Sequence, residues 1–207
     1  MVGVETMPRN RPQIFTPVQV RPLEGWMPCP RCQAPLLIKH YWQSAKVCPS
    51  CNHHGRFSAW ERIVHLTDPH SFEIHGEAAV PFDPLQFFDS QPYDQRWKEA
   101  AAKAGVDEAL IWGTAGLDKL SITLAVMDFG FMGGSMGTTV GERLTLCCEH
   151  AMRERKPLIV VCASGGARMQ EGLFSLVQMA KTAQAFQQMR QARIPSITLL
   201  TDPTCGG

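Results

Sequence analysis

In the C-terminal half of the chain, short apolar runs alternate with stretches of helical periodicity. ALIWGTAG (109–116) and LSITLAVMDF (120–129) read as paired strands with a Gly/Asp-punctuated join. FMGGSMG then leads into a helix over 138–154. LIVVCA (158–163) reads as a buried strand after Pro157, and a second glycine turn, SGGARMQEG, opens a helix of about twenty residues. Leu173, Leu176, Val177, Ala180 and Ala183 recur at helical spacing, with Met179, Phe186 and Met189 widening the stripe, so this face is expected to lie on the core. Pro195 ends the helix, SITLLT reads as another buried strand, and the chain closes on TDPTCGG. The order strand, strand, helix, strand, helix, strand predicts an α/β domain with helices on a largely parallel sheet.

Upstream the pattern is less regular. Residues 1–25 carry scattered Pro and Arg without periodicity and read as a flexible tail. PLLIKHYW (35–42) looks like a strand. Ser58 with Glu61 forms a capping-box signature for a helix Ala59–Leu66, closed before Asp68-Pro69. Asp83-Pro84 resembles an N-cap with proline at the first helical position. A helix over 92–104 is expected to stop at Gly105. The organisation expected is a tail (1–25), a cysteine-bearing module (26–66), a helical linker (67–105) and an α/β core (106–207).

The chain has 207 residues, 44% hydrophobic and 19% charged, which excludes a disordered or collagen-like protein. Lys+Arg (20) and Asp+Glu (19) nearly cancel, which argues against a protein wholly given to nucleic acid or to a membrane surface. The longest clean apolar run, 158–163, is far short of a membrane span, and the N-terminus lacks a signal-peptide core. A cytosolic protein is expected, whose eight cysteines are metal ligands and buried thiols, not disulfides.

Four of the eight, Cys29, Cys32, Cys48 and Cys51, form two C-x2-C pairs separated by fifteen residues. Two residues between thiolates let one tight turn offer both sulfurs to one ion, and two such knuckles complete a tetrahedral shell. A full shell leaves no open position, so one structural Zn²⁺ per chain is expected, worth on the order of 10 kcal/mol of folding free energy. His53 and His54 follow directly but have no vacancy to fill. Between Trp26 and Trp60 lie Arg31, Lys39, Lys46 and Arg56 and no acidic residue, interleaved with Tyr41, Trp42, Phe57 and Trp60. That composition suits a packing module, and it also permits weak nucleic-acid binding or docking on a protein.

Candidate chemistry sits in the glycine turns. Gly133-Gly134, Gly165-Gly166 and Gly206-Gly207 each follow a strand, where backbone N–H groups can converge on a phosphate or an oxyanion. The phosphate signatures are absent from the sequence. Gly133-Gly134-Ser135-Met136-Gly137 matches the nucleophile elbow G-x-S-x-G, but the only histidine after Ser135 is His150, on the helix expected to follow. Cys147, Cys148 and Cys162 read as buried apolar groups.

Taken together, CPRC…CPSC followed by HH, DFGFMGGSMG, SGGARMQEG and TDPTCGG resemble the beta subunits of bacterial acetyl-CoA carboxylase carboxyltransferase, from about Trp26 to the last residue. The resemblance implies a crotonase-like (ClpP/crotonase) core of β-β-α units behind a small zinc ribbon. It implies transfer of a carboxyl group from carboxybiotin to acetyl-CoA, giving malonyl-CoA for fatty-acid synthesis. The partners implied are a carboxyltransferase alpha subunit (as α2β2), biotin carboxyl carrier protein and biotin carboxylase. It assigns oxyanion-stabilising amides to Gly206 and Gly207, with Gly165 and Gly166 as a second wall. Arg168 and Glu171 are candidates to position substrate or to pair structurally. Members of the family continue beyond TDPTxGG, so a C-terminally truncated core is expected here, and a polypeptide ending there is expected to lack activity. The alternative is an inactive fragment, or a zinc-ribbon module that binds nucleic acid or a protein.

Overall fold

The computed structural model describes residues 24–77 and 79–206. The expected tail therefore lies almost wholly outside the described residues, as does Gly207. A two-stranded antiparallel ribbon, β1 (Trp26–Pro28) with β2 (Pro35–Leu37), comes first. The segment read as one strand over 35–42 divides: after Leu37 it coils into a short helix, α1 (Ile38–Gln43). The coil turns Tyr41 inward beside Leu36, Cys29 and Cys48, a small core that a straight strand would leave open. The module's core holds little else, as expected of a unit too short to bury much surface.

Helix α2 (Ala59–Leu66) forms as predicted. Ser58 Oγ accepts the Glu61 N–H and the Glu61 carboxylate accepts the Ser58 N–H. Its buried residues Ala59, Trp60 and Ile63 belong to the main hydrophobic core, as do Tyr93, Trp97 and Ala101 of α3 (Tyr93–Ala104). The structure thus gives the last helix of the cysteine module, and the helix of the segment read as a linker, to one continuous core. Asp128, at the end of the main sheet's central hairpin, accepts the Ala59 N–H at 2.7 Å and fastens α2 to that sheet. Helix α3 stops where expected, with Gly105 left-handed at φ 69°. No helix starts at Asp83-Pro84. Asp83 Oδ1 accepts the Phe87 N–H at 2.9 Å, and Gln86 at φ 50° ends the turn before helical bonding propagates.

The main sheet is mixed, in the order β3-β4-β5-β6-β7. Its strands are β3 (Glu73–Ile74), β4 (Leu110–Leu117), β5 (Leu120–Met127), β6 (Leu158–Ser164) and β7 (Ser196–Thr204). β3, β4 and β5 run antiparallel, and only β5, β6 and β7 are parallel neighbours, so half of the expected parallel sheet is a meander. The β4–β5 hairpin turns on two left-handed residues, Asp118 and Lys119, whose N–H groups are both accepted by the Asp68 carboxylate. Helix α4 (Thr138–Glu154) covers the sheet through Val140, Cys147, Cys148 and Ala151.

Helix α5 (Leu173–Gln191) departs from expectation. Its buried stripe is Ser175, Gln178, Thr182, Ala185 and Met189, seated chiefly on α4. The apolar stripe of Leu173, Leu176, Val177, Ala180 and Ala183 faces outward. Strand β7 departs likewise: read as buried, it is the sheet's edge, and Ile197, Leu199 and Leu200 are exposed. Periodicity reveals that a helix has an apolar face but not which neighbour takes it. No helix among the described residues is long and apolar enough to cross a membrane.

One pH-sensitive contact lies away from the glycine turns. His150 packs edge-on against His75 at 4.7 Å between ring centroids, and both rings pack on Trp112. Arg153 Nη2 donates to His150 Nδ1 at 2.9 Å, and His75 Nε2 bonds Thr114 Oγ1. Burial first, then the facing His75 and Arg153, lower the His150 pKa from 6.5, while Glu154 opposes weakly. The folded state therefore holds His150 neutral where the unfolded chain already takes up a proton. Stability is lost as pH falls below about 6.5. Thermal melts from pH 7.5 to 5.5 should show a falling midpoint that is flatter in His150→Gln. An unchanged slope in the variant would remove this group as the cause.

Candidate functional site

The two C-x2-C turns are built alike. The Gln33 N–H donates to the Cys29 carbonyl and the Asn52 N–H to the Cys48 carbonyl, and both Gln33 and Asn52 are left-handed. Each knuckle thereby presents its sulfurs to the same point. Cys29 and Cys51 Sγ lie 3.8 Å apart, as do Cys32 and Cys48 Sγ, and all four fall within 4.8 Å of one another. That is far too long for a disulfide and suits a shared metal ion. The backbone N–H of Cys32, with that of Arg31 adding to it, draws the Cys29 thiol down to about 6 against the opposing effect of burial. Burial pushes the neighbouring Cys51 thiol the other way, up to about 12, so it is the placement of the four sulfurs that points to a shared ion. His53 and His54 take no part in the cluster; the His53 carbonyl accepts the Cys48 N–H.

Two of the module's four basic residues make contacts within the protein, while Arg31 and Lys39 are exposed and have no acidic partner among the described residues. Lys46 pairs with Glu61 at 2.7 Å and lies 4.9 Å from the Phe57 ring centroid. Arg56 stacks on Phe129.

The three glycine turns come together at the C-terminal end of the parallel strands. The Gly165 N–H donates to the Gly133 carbonyl at 2.8 Å, the Met136 N–H to the Gly166 carbonyl at 2.8 Å and the Arg168 N–H to the Met136 carbonyl at 2.9 Å. The Cys205 N–H donates to the Ser164 carbonyl at 2.8 Å, bringing in the end of β7. Gly134, at φ 63°, faces the Ala163 backbone so closely that a Cβ would overlap its carbonyl oxygen. Only glycine lets the first two turns close on each other.

This lacing decides which amides remain available. The N–H groups of Gly165 and Gly166 are engaged, by the Gly133 carbonyl and by Ser164 Oγ at 3.1 Å. Both amides of the pair expected as a second wall therefore have acceptors within the protein in this structure. The Gly206 N–H, on an exposed residue at φ 40°, has no protein acceptor among the described residues. Ser135 Oγ accepts from Arg168 Nε at 3.1 Å, and His150 sits instead with Trp112 and His75. The serine-hydrolase arrangement does not form.

Beneath the turns lies a buried ionic network. Arg168 is fully buried, and all five of its N–H donors are engaged. Nη2 donates to Glu108 Oε1 (2.5 Å) and the Ser135 carbonyl (2.7 Å), Nη1 to Glu108 Oε2 (2.8 Å) and Tyr93 Oη (3.1 Å), and Nε to Ser135. Burial alone would lower the guanidinium pKa, but the Glu108 carboxylate outweighs it and keeps Arg168 charged. Glu171, also buried, accepts from Tyr93 Oη (2.8 Å) and from the Thr138 N–H and Oγ1 (2.6 Å each) at the start of α4. Burial raises the Tyr93 pKa, so its hydroxyl stays protonated and donates. Every N–H donor of Arg168 and both carboxylate oxygens of Glu171 are engaged within the protein, and these contacts tie the 133–137 and 164–172 turns together. Sequence reasoning missed Glu108 and Tyr93. They lie 60 and 75 residues from Arg168, and no local pattern links them.

Comparison with known proteins agrees with this architecture. The carboxyl transferase domain family matches residues 51–207. The acetyl-coenzyme A carboxylase carboxyl transferase subunit beta of Parasynechococcus marenigrum is 45% identical over 202 residues, covering 96% of this chain and 69% of that protein. Its counterpart in Protochlamydia amoebophila is 46% identical over 183 residues, covering 88% and 60%. A Parafrankia protein named as carboxyl transferase subunits beta/alpha is 45% identical over 182 residues, covering 88% of this chain and 30% of its own length. Among solved structures, the transcarboxylase 12S hexamer with methylmalonyl-coenzyme A bound superposes with a TM-score of 0.57 at 28% identity, covering 71% of this chain and 26% of that one. A Pseudomonas malonate decarboxylase hetero-dimer gives 0.50 at 19% identity over 69% of this chain and 51% of that one, a likeness of fold. With its crotonase-like core of laced glycine turns and its paired-cysteine module, the chain belongs to the carboxyl transferase family and, within it, to the acetyl-CoA carboxylase carboxyl transferase beta subunits.

Proposed function

We propose that the protein carrying this chain transfers the carboxyl group of carboxybiotin to acetyl-CoA, forming malonyl-CoA, in the cytoplasm. A carboxyltransferase alpha subunit completes it as α2β2, biotin carboxyl carrier protein delivers the biotin and biotin carboxylase charges it. A base takes a proton from the acetyl methyl group, and the electron pair moves onto the thioester oxygen. The enolate carbon then bonds to the carboxyl carbon as the N–C bond of carboxybiotin breaks, and the biotin nitrogen recovers a proton. Such a reaction needs fixed N–H donors at the developing oxyanion, not a side-chain nucleophile. The observation that carries the reading is the Gly206 N–H, which has no protein acceptor among the described residues, beside two laced turns that lack a nucleophile–base pair. Gly207, outside the described residues, is proposed as its companion.

The four cysteines are proposed to hold Zn²⁺. A Zn–S distance of about 2.3 Å sets a tetrahedral edge of about 3.8 Å, the spacing of both measured sulfur pairs. With all four positions taken by protein, the ion braces the ribbon and leaves the chemistry to the glycine turns.

The test is malonyl-CoA formation from acetyl-CoA by the full-length protein with its alpha subunit and a carboxybiotin donor. Turnover is expected, and Ser135→Ala should lower it less than tenfold because the serine is not the nucleophile. No product from the assembled wild-type proteins would overturn the reading, and loss of all turnover in Ser135→Ala would favour covalent catalysis.

A further inference from the structure

We infer that Tyr93, the first residue of α3, is a positioning residue for carboxyl transfer: its buried hydroxyl sets where the two glycine turns stand relative to each other, and so where the Gly206 N–H meets the developing oxyanion. The inference rests on the proposed function, in which that amide is a donor. Tyr93 acts through the turns and not on the substrate.

The tyrosine hydroxyl bridges the two ends of the 168–171 turn. It accepts from Arg168 Nη1 at 3.1 Å and donates to Glu171 Oε1 at 2.8 Å. Both directions are forced, because a guanidinium only donates, an ionised carboxylate only accepts, and burial keeps the phenol protonated. Each partner then reaches into the other turn. Arg168 Nη2 holds the Ser135 carbonyl, and Glu171 Oε2 holds the Thr138 N–H and Oγ1. Gly137 lies so near that a Cβ there would overlap Glu171 Oε1. The same helix grips the first turn directly. Trp97, one helical turn along α3, stands edge-on to Phe131 at 5.8 Å, and Arg168 stacks on the same ring at 5.4 Å. The helix expected to belong to a linker thus contacts both turns.

From the turns the path to Gly206 is short. The Met136 N–H donates to the Gly166 carbonyl and the Gly166 N–H to Ser164 Oγ. The Ser164 carbonyl accepts the N–H of Cys205, the residue before Gly206. Without the tyrosine hydroxyl, Glu171 Oε1 keeps only Arg168 Nη1 at 3.4 Å. A buried carboxylate held so weakly shifts toward its remaining donor and takes Thr138 and the 168–171 turn with it. A displaced amide still accommodates the ground-state thioester but is misaligned for the oxyanion, so the loss falls on kcat and not on KM.

The experiment is steady-state malonyl-CoA formation by the full-length protein assembled with its alpha subunit, at a temperature where every variant is folded. Tyr93→Phe keeps the ring and removes only the hydroxyl. Ile63→Val trims the same core on α2 and is the destabilised control. Tyr93→Phe is expected to lower kcat about tenfold to a hundredfold with the acetyl-CoA KM within about twofold. Hydrogen exchange at the Met136 and Gly165 amides, which lace the turns, should be faster. Ile63→Val is expected to leave kcat and that exchange unchanged. Thr138→Val, which removes the next hydroxyl on Glu171, should give the same kcat-only loss, several-fold, and decides the matter if Tyr93→Phe does not fold. Wild-type kcat in Tyr93→Phe would overturn the inference, whatever its exchange. So would a rise in KM alone, or an equal fall of kcat in Ile63→Val, which would make the loss one of general stability. If the wild-type assembly makes no malonyl-CoA, the catalytic reading fails and the inference with it, whereas an unaffected Tyr93→Phe leaves that reading standing.

Discussion

Replacing Arg168 with methionine should destabilise the protein by roughly 3–5 kcal/mol, because it leaves the buried Glu108 carboxylate without its counter-charge. Glu108 is fully buried, and beyond the guanidinium it keeps only the Ala109 N–H as a donor. On a total stability of about 5–15 kcal/mol, such a loss brings the fold close to its threshold. The size follows from breaking the pair, not from the pair's own net worth, since desolvating two charges offsets most of their attraction. The double variant Arg168→Met/Glu108→Met should therefore recover a substantial part of the loss. Urea midpoints of the three proteins decide it: single variants no worse than the double would show that the ion pair is not what holds this region. Arg168→Lys is expected to fall between, because one ammonium cannot span Glu108, Tyr93 and Ser135 together. The turns should loosen before the core does, so binding of acetyl-CoA should weaken at temperatures where the helical signal is still intact.

Removing one thiolate is the second large change expected. Cys48→Ser should drop bound zinc from one per chain to near zero and unfold the ribbon, forfeiting on the order of 10 kcal/mol of metal-coupled folding free energy. The ribbon has little to fall back on: Cys29, Leu36, Tyr41 and Cys48 are its core, and two of these belong to the four-cysteine cluster. The α/β core should survive, because Trp60, Ile63, Tyr93 and Trp97 belong to it and not to the ribbon. Metal analysis, with hydrogen exchange on residues 26–57 and on β4 and β5, separates the two units. Retention of metal and of ribbon protection in Cys48→Ser would refute a tetrathiolate site, as would a metal-free wild type.

Local order was readable where the cause was local. The Ser58/Glu61 capping box, the Gly105 stop and the two cysteine knuckles each depend on residues within a few positions, and each formed where expected. Periodicity also placed α4, α5, β4, β5 and β6 nearly to the residue. The short helix after Leu37 was not readable, because PLLIKHYW carries an apolar content that strand and helix share, and burial of Tyr41 chose between them. Asp83-Pro84 failed for the reverse reason: its local signal was sound, but a left-handed Gln86 closed the turn. At the candidate site, glycine pairs revealed where backbone approaches backbone. They did not reveal that the Gly165 and Gly166 amides would be turned on Gly133 and Ser164.

By itself the sequence determined the four-cysteine cluster, the strand and helix order and the family, since all of these reside in residue type and spacing along the chain. Tertiary structure alone decided three things: that Arg168 meets Glu108 and Tyr93, that the Gly165 and Gly166 amides are bonded while that of Gly206 has no acceptor among the described residues, and that α5 turns its apolar stripe outward. The physical reason is common to the three. A donor, a charge or an apolar face specifies what it needs but not who supplies it, and the supplier is settled only when the segments of the folded chain compete for the same space.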